Sequence, residues 1–293
     1  APALSPDGSS IVFSWRGDIW TVPTSGGVAR QLTANEADDG QPEFSPDGSQ
    51  IAFVSDRSGS RQVYLMPASG GETTQLTFHT EGYSLHEWYS NGQQLLTEGN
   101  RDQFWRKGDR FLQISTEPRT GERMLFDAYG IDDRMAHDGK YLLFVREGTR
   151  WCRKNYEGAQ AGQIWQYIPA QNKFKKIVEH PTGCRYPLWH PSGEKFYYAS
   201  GQSGAFNIWI RELSSGEERQ LTDFADDSVV FPCISRDGSV IVFRHLFDLY
   251  SLRLEEQASP QKIEISYAGD EPREPELRRT LTSATDVAFS SDG

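Results

Sequence analysis

Pro42-Glu43-Phe44-Ser45-Pro46-Asp47-Gly48, then Gln50-Ile51-Ala52-Phe53-Val54, Gln62-Val63-Tyr64-Leu65-Met66 and, past a Ser69-Gly70-Gly71 turn, Thr74-Gln75-Leu76-Thr77, spell four short strands divided by turn residues. The central runs are rich in β-branched and aromatic residues, and the breaks carry Pro, Asp, Ser or Gly. Proline presets one backbone angle and glycine accepts positive φ at no steric cost, so both breaks reverse the chain tightly. The four runs read as a meander A, B, C, D, one blade of a β-propeller.

The unit recurs along the whole chain. Its A-to-B turn is written as Ser5-Pro6-Asp7-Gly8, Ser45-Pro46-Asp47-Gly48, Ser90-Asn91-Gly92, His137-Asp138-Gly139, Pro191-Ser192-Gly193, Arg236-Asp237-Gly238 and Ser291-Asp292-Gly293. The glycines stand 40, 44, 47, 54, 45 and 55 residues apart, a propeller period whose drift belongs in loops. Strand C returns as Asp18-Ile19-Trp20, Gln163-Ile164-Trp165 and Asn207-Ile208-Trp209, and strand D as Arg30-Gln31-Leu32-Thr33 and Arg219-Gln220-Leu221-Thr222. The expected fold is all-β, a six-bladed β-propeller of four-stranded antiparallel blades over residues 1–281. A blade cannot bury its faces alone, so stability is expected from neighbouring blades. Leu4, Phe44, Trp88, Met135, Trp189 and Ile234 share one inner-strand position and are expected between blades. Residues 282–293 begin a seventh strand A, which either seals the ring or opens a further domain; the second is favoured. The charged stretch from Glu255 to Arg279 reads as a linker with one strand at Lys262 to Ser266.

Formal charge -11 and a pI near 5.1 argue against a protein that neutralises nucleic-acid phosphates. No apolar run approaches the ~20 residues of a membrane span, and no signal peptide is written in the chain. Cys152, Cys184 and Cys233 show no metal spacing, so no metal or cofactor is expected. Topology places Cys152 in the long B-to-C loop of the fourth blade and Cys184 in the connection leaving it, which nominates that pair for a disulfide. That bond and the Ala1-Pro2-Ala3 start point to a periplasmic or exported protein, with the cytoplasm as the alternative.

The chain carries no Gly-x-Ser-x-Gly elbow, no His-Glu-x-x-His and no phosphate-binding glycine loop, so no catalytic residue is assigned. The repeated turn aspartates read as backbone-bonding turn residues. Two expanded B-to-C loops, Glu98 to Asp109 and Arg146 to Gly162, are the informative departure. Around them stand Arg101, Trp105, Arg106, Arg110, Arg150, Trp151, Arg153 and Tyr156, a basic and aromatic group on an acidic chain. Arginine forks pair with carboxylates and tryptophan gives rigid contact area, which suits a peptide, an acidic partner surface or an adjacent domain. Glu43, Glu87 and Arg134 hold matching inner-strand positions, either on the central channel or between blades.

The Ser-Pro-Asp-Gly turn, Ile-Ala-Phe strand, Asp-Ile-Trp strand and Arg-Gln-Leu-Thr ending are similar to the WD40-like repeats of the TolB and tricorn protease families. The opening run Ser14-Trp15-Arg16-Gly17-Asp18-Ile19-Trp20, with Ser55-Asp56-Arg57-Ser58-Gly59 and Leu76-Thr77-Phe78-His79, most resembles the amino-terminal propeller of tricorn-like peptidases. The resemblance implies a second propeller and a serine peptidase core elsewhere in the parent. For this chain it implies a non-catalytic role in substrate access, product exit, peptide binding or domain assembly. Partners would be a peptide, a protein or adjacent domains, with room for an oligomer through the full-length parent. A TolB-like interaction scaffold and a propeller lyase or hydrolase with an axial metal are the alternatives.

Overall fold

The computed structural model describes residues 1–101, 108–148, 156–255 and 258–268. Blade 1 comprises β1 (Pro2–Leu4), β2 (Ser10–Trp15), β3 (Asp18–Pro23) and β4 (Gly27–Gln31); blade 2 comprises β5 (Asp39–Phe44), β6 (Gln50–Ser55), β7 (Gln62–Pro67) and β8 (Thr74–Gln75). Blade 3 comprises β9 (Ser84–Trp88), β10 (Gln94–Asn100), β11 (Asp109–Ser115) and β12 (Arg123–Met124); blade 4 comprises β13 (Ile131–Met135), β14 (Leu142–Arg146), β15 (Gln163–Ile168) and β16 (Lys173–Glu179). Blade 5 comprises β17 (Cys184–Trp189), β18 (Lys195–Ser203), β19 (Ala205–Glu212) and β20 (Glu218–Gln220); blade 6 comprises β21 (Val229–Ile234), β22 (Val240–His245), β23 (Asp248–Arg253) and β24 (Gln261–Lys262). Every neighbouring pair within a blade is antiparallel, so the chain is the six-bladed propeller that its repeat predicts.

The repeat is legible because its residues bond the backbone at fixed places. In the first turn the Ser5 hydroxyl donates to Asp7 (2.6 Å) and Asp7 accepts the Ser9 amide (3.1 Å), while Gly8 takes φ 69°. Asp47 and Asp237 repeat this at 2.6 Å to Ser45 and Ser235, which is why the turn aspartates are structural. The terminal threonine of strand D closes the other end of the blade. Thr33, Thr77 and Thr222 each accept an amide of strand C, from Ile19, Val63 and Ile208, all at 2.9 Å. Thr222→Val keeps the shape and removes the acceptor for a buried amide, so it is expected to cost ~1–3 kcal/mol, read as a lower urea midpoint.

Packing alternates around the ring. Leu95 and Leu112 of blade 3 join Ala52, Val63 and Leu76 of blade 2, and Leu143 and Ile164 of blade 4 join Trp189 and Phe196 of blade 5. Leu4, Trp88 and Trp189 are buried, and Phe44, Met135 and Ile234 are half-buried against the clusters between blades 1 and 2, blades 3 and 4, and blades 5 and 6 respectively. The ring closes where Leu4, Ile11 and Trp20 of blade 1 meet Cys233, Val240 and Val242 of blade 6.

A clasp reinforces that seam. The expected single strand at Lys262 to Ser266 is two strands: β24 ends at Lys262, and β25 (Ile265–Tyr267) runs parallel to β4 on the outer edge of blade 1. The break falls at Ile263, whose side chain is buried in the blade 1 and blade 6 cluster and so cannot stay in line with its neighbours. Gly26 is required there, because a Cβ would stand 2.6 Å from the Glu264 carbonyl oxygen. The seventh strand A predicted at Asp286 to Ser290 lies outside the described residues.

Candidate functional site: the axial cavity

Six inner strands converge on the axis, and each presents the same four-residue step: Ala1-Pro2-Ala3-Leu4, Gln41-Pro42-Glu43-Phe44, Leu85-His86-Glu87-Trp88, Asp132-Asp133-Arg134-Met135, Tyr186-Pro187-Leu188-Trp189 and Phe231-Pro232-Cys233-Ile234. In five of them the register slips by one residue at this step, a β-bulge. Gln41, Asp132, Tyr186 and Phe231 take the left-handed conformation there, with φ between 50° and 53°. Strained non-glycine backbone persists only where its surroundings hold it. The bulge aims these four side chains at one cavity.

That cavity has a volume of about 290 Å³ and is lined by residues of all six blades, among them Gln41, Glu43, Asp132, Arg134, Tyr186 and Phe231. A smaller cavity of about 110 Å³ carries Glu43, Glu87, Arg134, Leu188 and Cys233. Glu43, Arg134 and Leu188 border both and therefore form the waist between them. A larger groove of about 700 Å³ lies at the turns of blades 1 and 2, away from this cluster.

Burial sets the charge of the axis. Glu43 is pushed up to about 8 by burial, with Arg134 drawing it down and Glu87 raising it further. Glu87 is pushed up to about 7 by burial, against Arg134 and the Met135 amide that its carboxylate accepts. Asp132 is also raised by burial, against nearby His86 and Arg185. An acid whose value rises on folding holds its proton more tightly in the folded state, so stability falls as pH climbs from 4.5 towards 8. Glu43→Gln is neutral throughout. Its thermal midpoint is expected to match the parent chain below pH 4.5 and to exceed it above pH 8; an offset that does not change with pH would refute this.

Tryptophans staple the axis to its neighbours. Trp88 Nε1 donates to the Glu43 carbonyl (3.0 Å) and Trp189 Nε1 to the Arg134 carbonyl (3.1 Å), each reaching the preceding blade. His86 bridges blades 3 and 4, with Nε2 3.1 Å from Glu98 Oε2 and Nδ1 against the fully buried Asp133.

The loop cluster is built differently. Arg101 is bidentate to Glu122 (2.7 and 2.8 Å), donates to the Gly82 carbonyl and lies over the Tyr83 ring; Arg110 donates to Asp127 (3.0 Å). Tyr156 accepts the Gln160 amide within its own loop (3.2 Å). These three are thus held by their own surroundings, and Trp105, Arg106, Arg150, Trp151 and Arg153 lie outside the described residues. Asp39, at the start of β5, is paired with Arg57 of the same blade at 2.8 Å.

The disulfide expectation is corrected. Cys184 is a free, fully buried thiol at the start of β17, pushed up to about 12 by burial, and Cys152 lies outside the described residues. Cys184 leads the buried inner strand of blade 5 rather than an exposed connection, with its amide on the Gly162 carbonyl (2.8 Å). That removes the disulfide argument for export. Among the described residues no helix is long and apolar enough to cross a membrane, and no group of three or more His, Cys, Asp or Glu is placed to hold a metal.

The tricorn protease N-terminal β-propeller domain family matches residues 1–258. The chain belongs to that family. It is 25% identical to tricorn protease homolog 1 of Streptomyces coelicolor over 90% of this chain and 24% of that protein. It is 22% identical to the tricorn protease homolog of Saccharolobus solfataricus over 91% of this chain and 25% of that one. The chain thus spans about a quarter of the length of these tricorn relatives. Among solved structures, the tricorn protease superposes with a TM-score of 0.74 at 22% identity, covering 92% of this chain and 26% of that one. A putative TolB from Agrobacterium tumefaciens gives 0.64 at 19% identity, covering 84% and 90%. Likeness at that identity shows the fold.

The tricorn-like propeller was readable from the repeat, but its bulged axis was not. Glu43, Glu87 and Arg134 line one small cavity together. Gln41, Asp132, Tyr186 and Phe231 were missed. The available signal was their common place, three residues before the large side chain that precedes each A-to-B turn.

Proposed function

We propose that the chain is a non-catalytic propeller of a tricorn-like serine peptidase that handles peptides along its axis and docks adjacent domains of the same polypeptide. The observation that carries this reading is the family match over residues 1–258. The polar axial cavity supports the peptide role, since ligand pockets combine apolar walls with a few convergent polar groups. The test is the full-length product of the gene. It is expected to hydrolyse a mixed library of unstructured peptides, and an inactive full-length product would overturn the peptidase assignment.

A second reading is a TolB-like interaction scaffold, supported by the fold shared with the putative TolB at a TM-score of 0.64. An inactive full-length product that captures a protein partner through the ring would support it.

A further inference from the structure

Arg134 stands at the waist of the axis with most of its donors uncommitted to described protein groups: its hydrogen bond there is from Nη1 to the neighbouring Asp133 carbonyl (2.8 Å). A guanidinium carries five N–H donors in a planar fork that matches a carboxylate. Its anionic neighbours cancel its charge only in part. Glu43 and Glu87, at about 8 and about 7, hold much of their protons at neutral pH, and Glu87 is already bonded to the Met135 amide. Protonated Glu43 has an O–H to donate to an incoming anion. The rest of the upper cavity offers Pro42, Pro187 and Pro232, the Tyr186 and Phe231 rings 5.7 Å apart, and the Asp132 carboxyl.

We propose that this cavity binds the α-carboxylate of a free amino acid or very short peptide, with Arg134 as the anchor and the Asp132 carboxyl as a hydrogen-bond acceptor for the ligand's ammonium. Size selects the ligand class: about 290 Å³ is at the lower limit of small-ligand pockets, ~300 Å³, and too small for a folded partner. The inference rests on the peptide-handling reading and names what that axis holds.

The experiment is titration calorimetry of the 293-residue chain with alanylalanine, its C-terminal amide and its N-acetyl form. Alanylalanine is expected to bind and the amide to bind at least about tenfold more weakly, the size of one charge-assisted contact. The N-acetyl form, which keeps the carboxylate, is expected to fall between them. Arg134→Gln is expected to lose binding while Arg134→Lys retains part of it, each at an unchanged far-ultraviolet spectrum; the amide comparison needs no variant at all. No heat with any probe, or an amide that binds as well as the acid, overturns the proposal. If the full-length product cleaves peptides while the cavity takes none of these probes, this inference alone falls. An inactive full-length product instead removes the peptidase reading and leaves the carboxylate site to the calorimetry.

Discussion

Trp189→Ala is expected to lower the stability of the ring by ~3–5 kcal/mol, a large part of the ~5–15 kcal/mol that holds a domain together. The side chain is 4% exposed and sits among Tyr141, Phe196 and the aliphatic side chains of blades 4 and 5. Removing it opens a cavity between two sheets that cannot close without moving a blade. It also strands the Arg134 carbonyl that accepts its Nε1 hydrogen at 3.1 Å. Trp189→Phe separates the two losses, because it fills most of the space and leaves the carbonyl unpaired, for ~1–2 kcal/mol. Urea unfolding of the two variants checks both figures. Equal losses would show that the hydrogen bond, not the packing, joins these blades.

Arg57→Ala is expected to cost about 3 kcal/mol, since truncating one partner of a buried ion pair leaves the other uncompensated. Arg57 Nη2 reaches both oxygens of Asp39, at 2.9 and 2.8 Å, and the Asp39 carboxylate is wholly buried. The same guanidinium donates to Ser55 and Thr73 and covers the rings of Phe53 and Tyr64. Lysine cannot reproduce a planar fork that bonds in three directions, so Arg57→Lys is expected to recover less than half of the loss. Asp39→Asn in the Arg57→Ala background should return stability, because it removes the unpaired charge. A double variant no better than Arg57→Ala would place the effect in the ring contacts instead.

Local chemistry was legible and long-range partnership was not. The A-to-B turns could be read because Ser, Pro, Asp and Gly act within five residues of one another, as the Ser5–Asp7 and Ser10–Ser5 bonds show. The terminal threonines could be read as a pattern, although the amide that each one bonds lies 14 residues away. Arg101 shows the limit. Its sequence neighbours are basic and aromatic, but its own charge is met by Glu122, 21 residues on, a partner that the loop sequence does not reveal. The axial bulges left no trace of the usual kind, because Gln41, Asp132, Tyr186 and Phe231 adopt a conformation that glycine normally announces. Cys184 misled for a related reason: its place was inferred from loop lengths, while β17 begins at that residue and buries it.

On the proposed reading the ring binds and positions peptides without cutting them. The most direct test is to incubate the purified 293-residue chain with unstructured peptides and follow their masses. Every peptide is expected to be recovered whole, even at high protein concentration. New fragments that persist through repeated purification, and that vanish with substitutions at the axial Glu43 or Glu87, would contradict it and make this propeller a hydrolase in its own right.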